Sequence, residues 1–184
     1  MIYKFKLVSN EVSNFVREIE IDSDSTFFQL RNAVLESVGY SKDDLDSFFL
    51  CDDDWERQEE ITQEDMGISS SDKDIWVMDE TPVGELVEDE GQKLVFVYNY
   101  ITDQAFYMEL KEMIPGRHLK DAVCTFKKGT PPPQRMDIDE FERKVDLSAQ
   151  KKADDLVFED LYGDSQFNED ELESGFEGID DDSL

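Results

Sequence analysis

One histidine, two cysteines and 18 Lys plus Arg in 184 residues leave little for most site chemistry to be built from. Cys51 and Cys124 make neither a disulfide framework nor a zinc site. Each reads as a small buried hydrophobe in a reducing compartment. No Gly-rich phosphate loop, HExxH pair, CxxC pair or GxSxG elbow is present. No stretch of about 18 apolar residues occurs, so no membrane span is expected. The start, Met1-Ile2-Tyr3-Lys4-Phe5-Lys6, alternates like a strand and lacks the apolar block and cleavage site of a signal peptide. A cytoplasmic location is the expectation.

What the chain has in excess is negative charge. Its 47 Asp plus Glu give a formal net charge of -29. Such a field repels nucleic acid backbones and anionic membranes and attracts basic partners. The Lys and Arg read as dispersed, so no direct nucleic acid binding is expected. The stretch from Asp146 to Leu184 holds 14 acidic and two basic residues, a net -12. Its larger apolar residues, Phe158, Leu161, Tyr162, Phe167, Leu172, Phe176, Ile179 and Leu184, are thinly spread among the acids. One reading is a disordered solubilising tail. The sharper one is a peptide that docks Phe158, Leu161, Phe167, Leu172, Phe176 and Leu184 into a groove on a basic protein.

Upstream of the tail the pattern is α+β. Tyr3, Phe5 and Leu7 alternate with lysines, and Phe15, Arg17, Ile19 and Ile21 alternate with polar or smaller residues, predicting an antiparallel hairpin. Phe27, Leu30, Val34 and Val38 recur at helical spacing before Gly39, predicting a helix over 26–38 with its N-cap within 22–25. Strands follow at 45–51 and 75–78. Residues 56–71 read as irregular, with one helical turn from Thr62 to Met66. Thr81 and Pro82 read as N-cap and first residue of a short helix. Residues 92–100 and 105–113 form two aromatic strands, and 122–126 a last one. Gly129-Thr130-Pro131-Pro132-Pro133 suits neither helix interior nor central strand. The division is a domain over 1–134, and an acidic linker and tail over 135–184 that is at least partly disordered.

The candidate sites have bland readings beside them. His118 lies close in sequence to Cys124, but no third group orients such a pair, and its Pro-Gly-Arg-His setting suits a solvated turn. Asp52, Asp53 and Asp54 lack the spacing of a calcium loop and read as a strand end. Asp22-Ser23-Asp24-Ser25-Thr26 reads as helix capping. No metal or other cofactor is expected. Arg17 falls on the apolar face of its strand. It reads either as a recognition arginine for a partner carboxylate or, preferred here, as an edge arginine that snorkels or pairs with an acidic neighbour. Phe96, Tyr98, Tyr100, Phe106 and Tyr107 suit a base-stacking platform by type, but such platforms sit in basic grooves, so core packing is preferred.

Several of these residues stand in a familiar order. Val16-Arg17-Glu18-Ile19-Glu20-Ile21, then Leu30 to Ser37 with Gly39-Tyr40, then Asp44-Leu45-Asp46-Ser47-Phe48 resemble the opening of the plasmid pRiA4b ORF-3-like family. That family is also named after the passenger protein of a mycobacterial insertion sequence. There the third segment carries a His that is missing here. Tyr98 to Phe106 resembles its aromatic hairpin, and Cys124, Gly129, Pro131 and Pro132 its closing segment. The resemblance implies an α+β domain with a mixed sheet that opens with a hairpin and helix of β-grasp type, and a loose association with mobile elements. The functional expectation is a non-enzymatic interaction or regulatory module with an acidic surface and tail for a basic protein partner. The alternative is an enzyme with a cryptic site near Cys124, His118 and Asp52 to Asp54.

Overall fold

In the computed structural model the first two segments of alternating residues pair as expected. Strand β1 (Ile2–Ser9) lies antiparallel to β2 (Val16–Asp22), with Phe5 opposite Ile19 and Leu7 opposite Arg17. The structure describes residues 1–65, 67, 76–135 and 143. Contacts divide the chain after Asp137, and the strands and helices all belong to the first unit, Met1–Asp137. The acidic tail lies outside the described residues.

Helix α1 (Phe27–Val38) is capped by Thr26 rather than by a residue of 22–25. Thr26 Oγ1 accepts from Gln29 N, and the Gln29 side chain accepts from Thr26 N at 2.9 Å, a reciprocal capping box. Gly39 ends the helix at φ 73°, a left-handed conformation that costs glycine least. Leu30, Val34 and Leu35 are fully buried beneath it.

Strands β3 (Ser47–Cys51), β4 (Arg57–Thr62), β5 (Trp76–Val77), β6 (Lys93–Asn99), β7 (Gln104–Ile114) and β8 (Val123–Lys128) complete one mixed sheet. Its order is β5-β4-β3-β6-β7-β1-β2-β8. All neighbours are antiparallel except β4 and β5. A short helix, α2 (Val83–Leu86), precedes β6.

Two expectations are corrected. The stretch read as irregular holds β4, whose Arg57 to Glu60 are all exposed and whose Ile61 alone is buried. Its pairing with β3, not an apolar period, makes it a strand. Thr62 ends that strand and starts no helical turn; Met66 lies outside the described residues. The second helix is shifted by one position, so Pro82 holds the cap and offers no side-chain acceptor. Thr81 is buried instead, and its carbonyl accepts from Phe27 N at 3.0 Å. The start of α1 is thereby stitched to the segment before α2.

The two faces of the sheet differ. One packs against α1 through Phe5, Ile19, Phe48, Phe96, Phe106 and Leu110. Those burials carry the main driving force of the fold, at about 25 cal/mol per Å² of apolar surface. On the other face, register aligns Val16, Val8, Tyr107, Val95 and Phe49 in one row across five strands. The next row runs Glu18, Lys6, Glu109, Lys93. Opposite charges stand across from each other there, which favours this register over a slipped one.

Candidate functional site

Arg17 is the centre of a junction at one end of the sheet. It is buried, and among the described residues it meets no carboxylate. Its guanidinium donates to the carbonyls of Ser37 at 3.2 Å, Val16 at 2.8 Å, Lys128 at 2.8 Å and Gly129 at 3.1 Å. The Phe15 ring lies 4.5 Å beneath it. Neither sequence reading of Arg17 survives: it clamps the end of α1, β2 and the residues after β8 together. Burial lowers its pKa from the ordinary arginine value, with Cys124 and Tyr40 opposing that shift. Carbonyls at the end of β8 and just after it, 111 and 112 residues away, left no trace in the local sequence.

Tyr40 joins the same junction. Its hydroxyl donates to the Pro132 carbonyl, and its ring packs on Tyr98 at 5.1 Å and Phe106 at 5.8 Å. Phe15 stacks on Phe106 at 5.1 Å. Asn99 donates to the Gln134 carbonyl, and Gln104 to the Glu11 carboxylate at 2.9 Å. The residues that carry the family resemblance in four separate segments, Arg17, Tyr40, Tyr98 with Phe106, and Gly129 with Pro132, thus converge on one place. The aromatic strands pack as core here, with Tyr98 and Phe106 rings 4.6 Å apart, while Tyr107 faces away against Trp55.

The chemistry available at this junction is that of neutral donors. Burial pushes the Tyr40 phenol up to about 12, and pushes Tyr98 up further with help from Tyr40 and Glu11. Both stay protonated at neutral pH and neither serves as a base. The Tyr98 hydroxyl is buried beside Tyr40 without a well-formed hydrogen bond among the described residues.

The groups of the enzymatic reading do not gather. Cys124 lies on β8, at one edge of the sheet, while Asp52 to Asp54 follow β3. Four strands stand between β3 and β8, so five steps of about 4.8 Å separate them by roughly 24 Å. Asp52 accepts from the N–H groups of Asp54 and Glu56, each at 2.9 Å, and shapes its own turn. Cys51, on β3, is buried on the outer face.

His118 instead meets Asp22. The Nδ1 to Oδ2 distance is 2.9 Å, and Leu119 N donates to the same oxygen at 3.1 Å. Asp24 N donates to Oδ1 at 3.1 Å. Burial would raise the Asp22 pKa, but those two backbone donors, the His118 ring and the amino terminus hold it below the ordinary aspartate value. Asp22, Asp24 and His118 bring ligand atoms within 4.8 Å of one another, the sole such group among the described residues. Asp22 already spends both oxygens on protein donors, so the group is a folded hydrogen-bond hub. Sequence had assigned Asp22 to capping α1; its partner 96 residues away was invisible there.

An open groove of about 410 Å³ lies toward the opposite edge of the sheet, lined by Gln63, Glu64, Asp65, Val77, Asp79 and Glu80. Four of the six are carboxylates and none is a cation. The docking residues expected in the tail, Phe158, Leu161, Phe167, Leu172, Phe176 and Leu184, lie outside the described residues. Among the described residues no helix is long and apolar enough to cross a membrane.

No curated protein sequence matches the chain. Among solved structures it is similar to the crystal structure of the protein of unknown function MM3350 from Methanosarcina mazei Go1, with a TM-score of 0.53 at 14% identity over 68% of each chain. That likeness is one of fold. The model of the plasmid pRiA4b ORF-3-like protein family matches residues 2–174, spanning every segment of the junction and much of the acidic tail, and the chain belongs to that family.

Proposed function

We propose that this protein is a non-enzymatic interaction or regulatory module whose acidic surface and tail engage a basic protein partner. The observation that supports it is the groove of Glu64, Asp65, Asp79 and Glu80, open to solvent and, among the described residues, lined by no cation. These four share one concave wall around Val77. Such a wall draws a cationic side chain in and offers its methylenes an apolar floor. The net charge of -29 lengthens the reach of that attraction. The module is read as cytoplasmic, and its link to mobile elements rests on the family alone. The β-grasp likeness is kept to the opening hairpin and helix, since β7 then occupies the place beside β1.

The test uses a fluorescent decalysine peptide and the full chain. Replacing Glu64→Gln, Asp65→Asn, Asp79→Asn and Glu80→Gln together should weaken binding about tenfold or more at low salt. Unchanged affinity in a variant that keeps its melting temperature would remove the groove from the reading.

A further inference from the structure

The other edge of the sheet has the opposite character. Residues 115–135 hold five Lys plus Arg (Arg117, Lys120, Lys127, Lys128 and Arg135) against the single acid Asp121. Among the described residues, only Arg135 of these has an ion-pair partner, Asp44. The cations bracket β8: Arg117 and Lys120 lie before its start, Lys127 and Lys128 at its end. Between them Val123 is 47% exposed and Phe126 46%.

β8 is also an unfinished strand. It pairs with β2 on one side, and no described strand or loop bonds to its backbone on the other. At the opposite edge the described part of β5 is two residues long; β8 has six. A row of unpaired N–H and C=O groups is a template for another chain. The row is held in place: Arg17 grips the carbonyls of Lys128 and Gly129, and Tyr40 that of Pro132. The acids nearest on β2, Glu18 and Glu20, are drawn inward by Lys4 at 3.6 and 3.9 Å.

We propose that the β8 edge is a docking site for an acidic peptide, taken up in extended form as a ninth strand. Its backbone pairs with β8, its carboxylates meet Lys120 at one end and Lys127 and Lys128 at the other, and an apolar residue between them covers Phe126. Charge decides the class of occupant. A second copy pairing β8 against β8 sets lysines beside lysines, which repel. A nucleic acid answers the lysines but has no backbone amides to pair with the edge strand. The bulge that leaves Thr125 without a partner on β2 sets where the new strand registers. The site is independent of the acidic groove, which lies at the other side of the sheet.

Fluorescence anisotropy with the full chain and a labelled decapeptide of alternating Glu and Val tests this. Binding is expected, falling about tenfold or more from low to roughly 500 mM salt and by a similar factor in the Lys127→Glu, Lys128→Glu double variant. The same peptide N-methylated at alternate amides should bind about tenfold more weakly to the unmodified protein, whatever the variant's folding. The following results overturn the proposal. They are equal binding of the N-methylated peptide, equal or tighter binding of a Lys and Val counterpart, and tighter binding of an oligo-dT strand. Self-association that the double variant abolishes would assign the edge to a second copy and equally overturn it.

Discussion

Arg31 and Asp46 form a closed ion pair between α1 and the entrance to β3. Arg31 Nε donates to both Asp46 carboxylate oxygens, at 2.6 and 2.9 Å, and the two side chains are 3% and 2% exposed. Gln63 donates to the same carboxylate at 2.9 Å, and Arg31 Nη2 donates to the Lys42 carbonyl at 2.8 Å. Burial pushes the Asp46 pKa up, and the Arg31 contact pulls it back.

A pair this dry is costly to break from one side. Asp46→Ala strands a buried guanidinium, and the expected loss is about 3–5 kcal/mol. Replacing both, as Arg31→Met with Asp46→Leu, removes the desolvation cost as well and should recover most of that loss. Urea melts of the two variants and the unmodified protein measure it. A double variant as unstable as Asp46→Ala would show that the pair contributes through shape rather than charge.

Gly129 is needed for a different reason. Its φ is +71°, and a Cβ there would stand 2.4 Å from the Asn14 carbonyl oxygen. Gly116 has a similar φ of +73° with nothing within 4 Å. Gly116→Ala should therefore cost the left-handed strain alone, about 1 kcal/mol. Gly129→Ala should cost clearly more, because the β2 entry and the Arg17 clamp must shift with it. Equal melting temperatures for the two would contradict the close approach.

How far these features were legible differs by the range of the contact. The hairpin and α1 were readable because the periods of 2 and 3.6 residues record local geometry directly. The β4 strand was not, since Arg57, Gln58, Glu59 and Glu60 all face solvent and carry no alternation. The junction was readable in its members, through the family's segments, but not in its geometry. Nothing in Val16-Arg17-Glu18 says that Lys128 and Gly129 supply the acceptors. The basic edge was missed for the same reason. Lys120, Lys127 and Lys128 lie within nine residues, but only the place of β8 at the end of the strand order shows that they border a free edge.

Asp22 makes the fold sensitive to acid. Its folded pKa is held below the ordinary value by the donors around it. A group depressed in this way stabilises the fold above the unfolded value, near pH 3.9. That contribution falls away as pH drops from there through the folded pKa. Asp22→Asn should thus be less stable than the unmodified protein at pH 7, with the gap closing once the pH falls well below about 3.9. Melting temperatures across that range measure it. A gap independent of pH would mean that the carboxylate's charge plays no part in holding Leu119 and Asp24.

The acidic tail separates charge from docking in the proposed engagement of a basic partner. Truncation after Gln150 removes 13 acidic and two basic residues, so decalysine binding should weaken and its salt dependence should flatten. Phe167→Ala and Phe176→Ala leave the charge as it is. A basic partner that offers an apolar groove, once isolated by affinity capture on the full chain, should lose as much affinity to these two substitutions as to truncation. Decalysine has no such groove and should not respond to them. Equal loss of both ligands on truncation alone, with no effect of either phenylalanine, makes the tail a charged brush. If truncation weakens neither ligand, the tail has no part in the engagement, and the groove of Glu64, Asp65, Asp79 and Glu80 carries it alone.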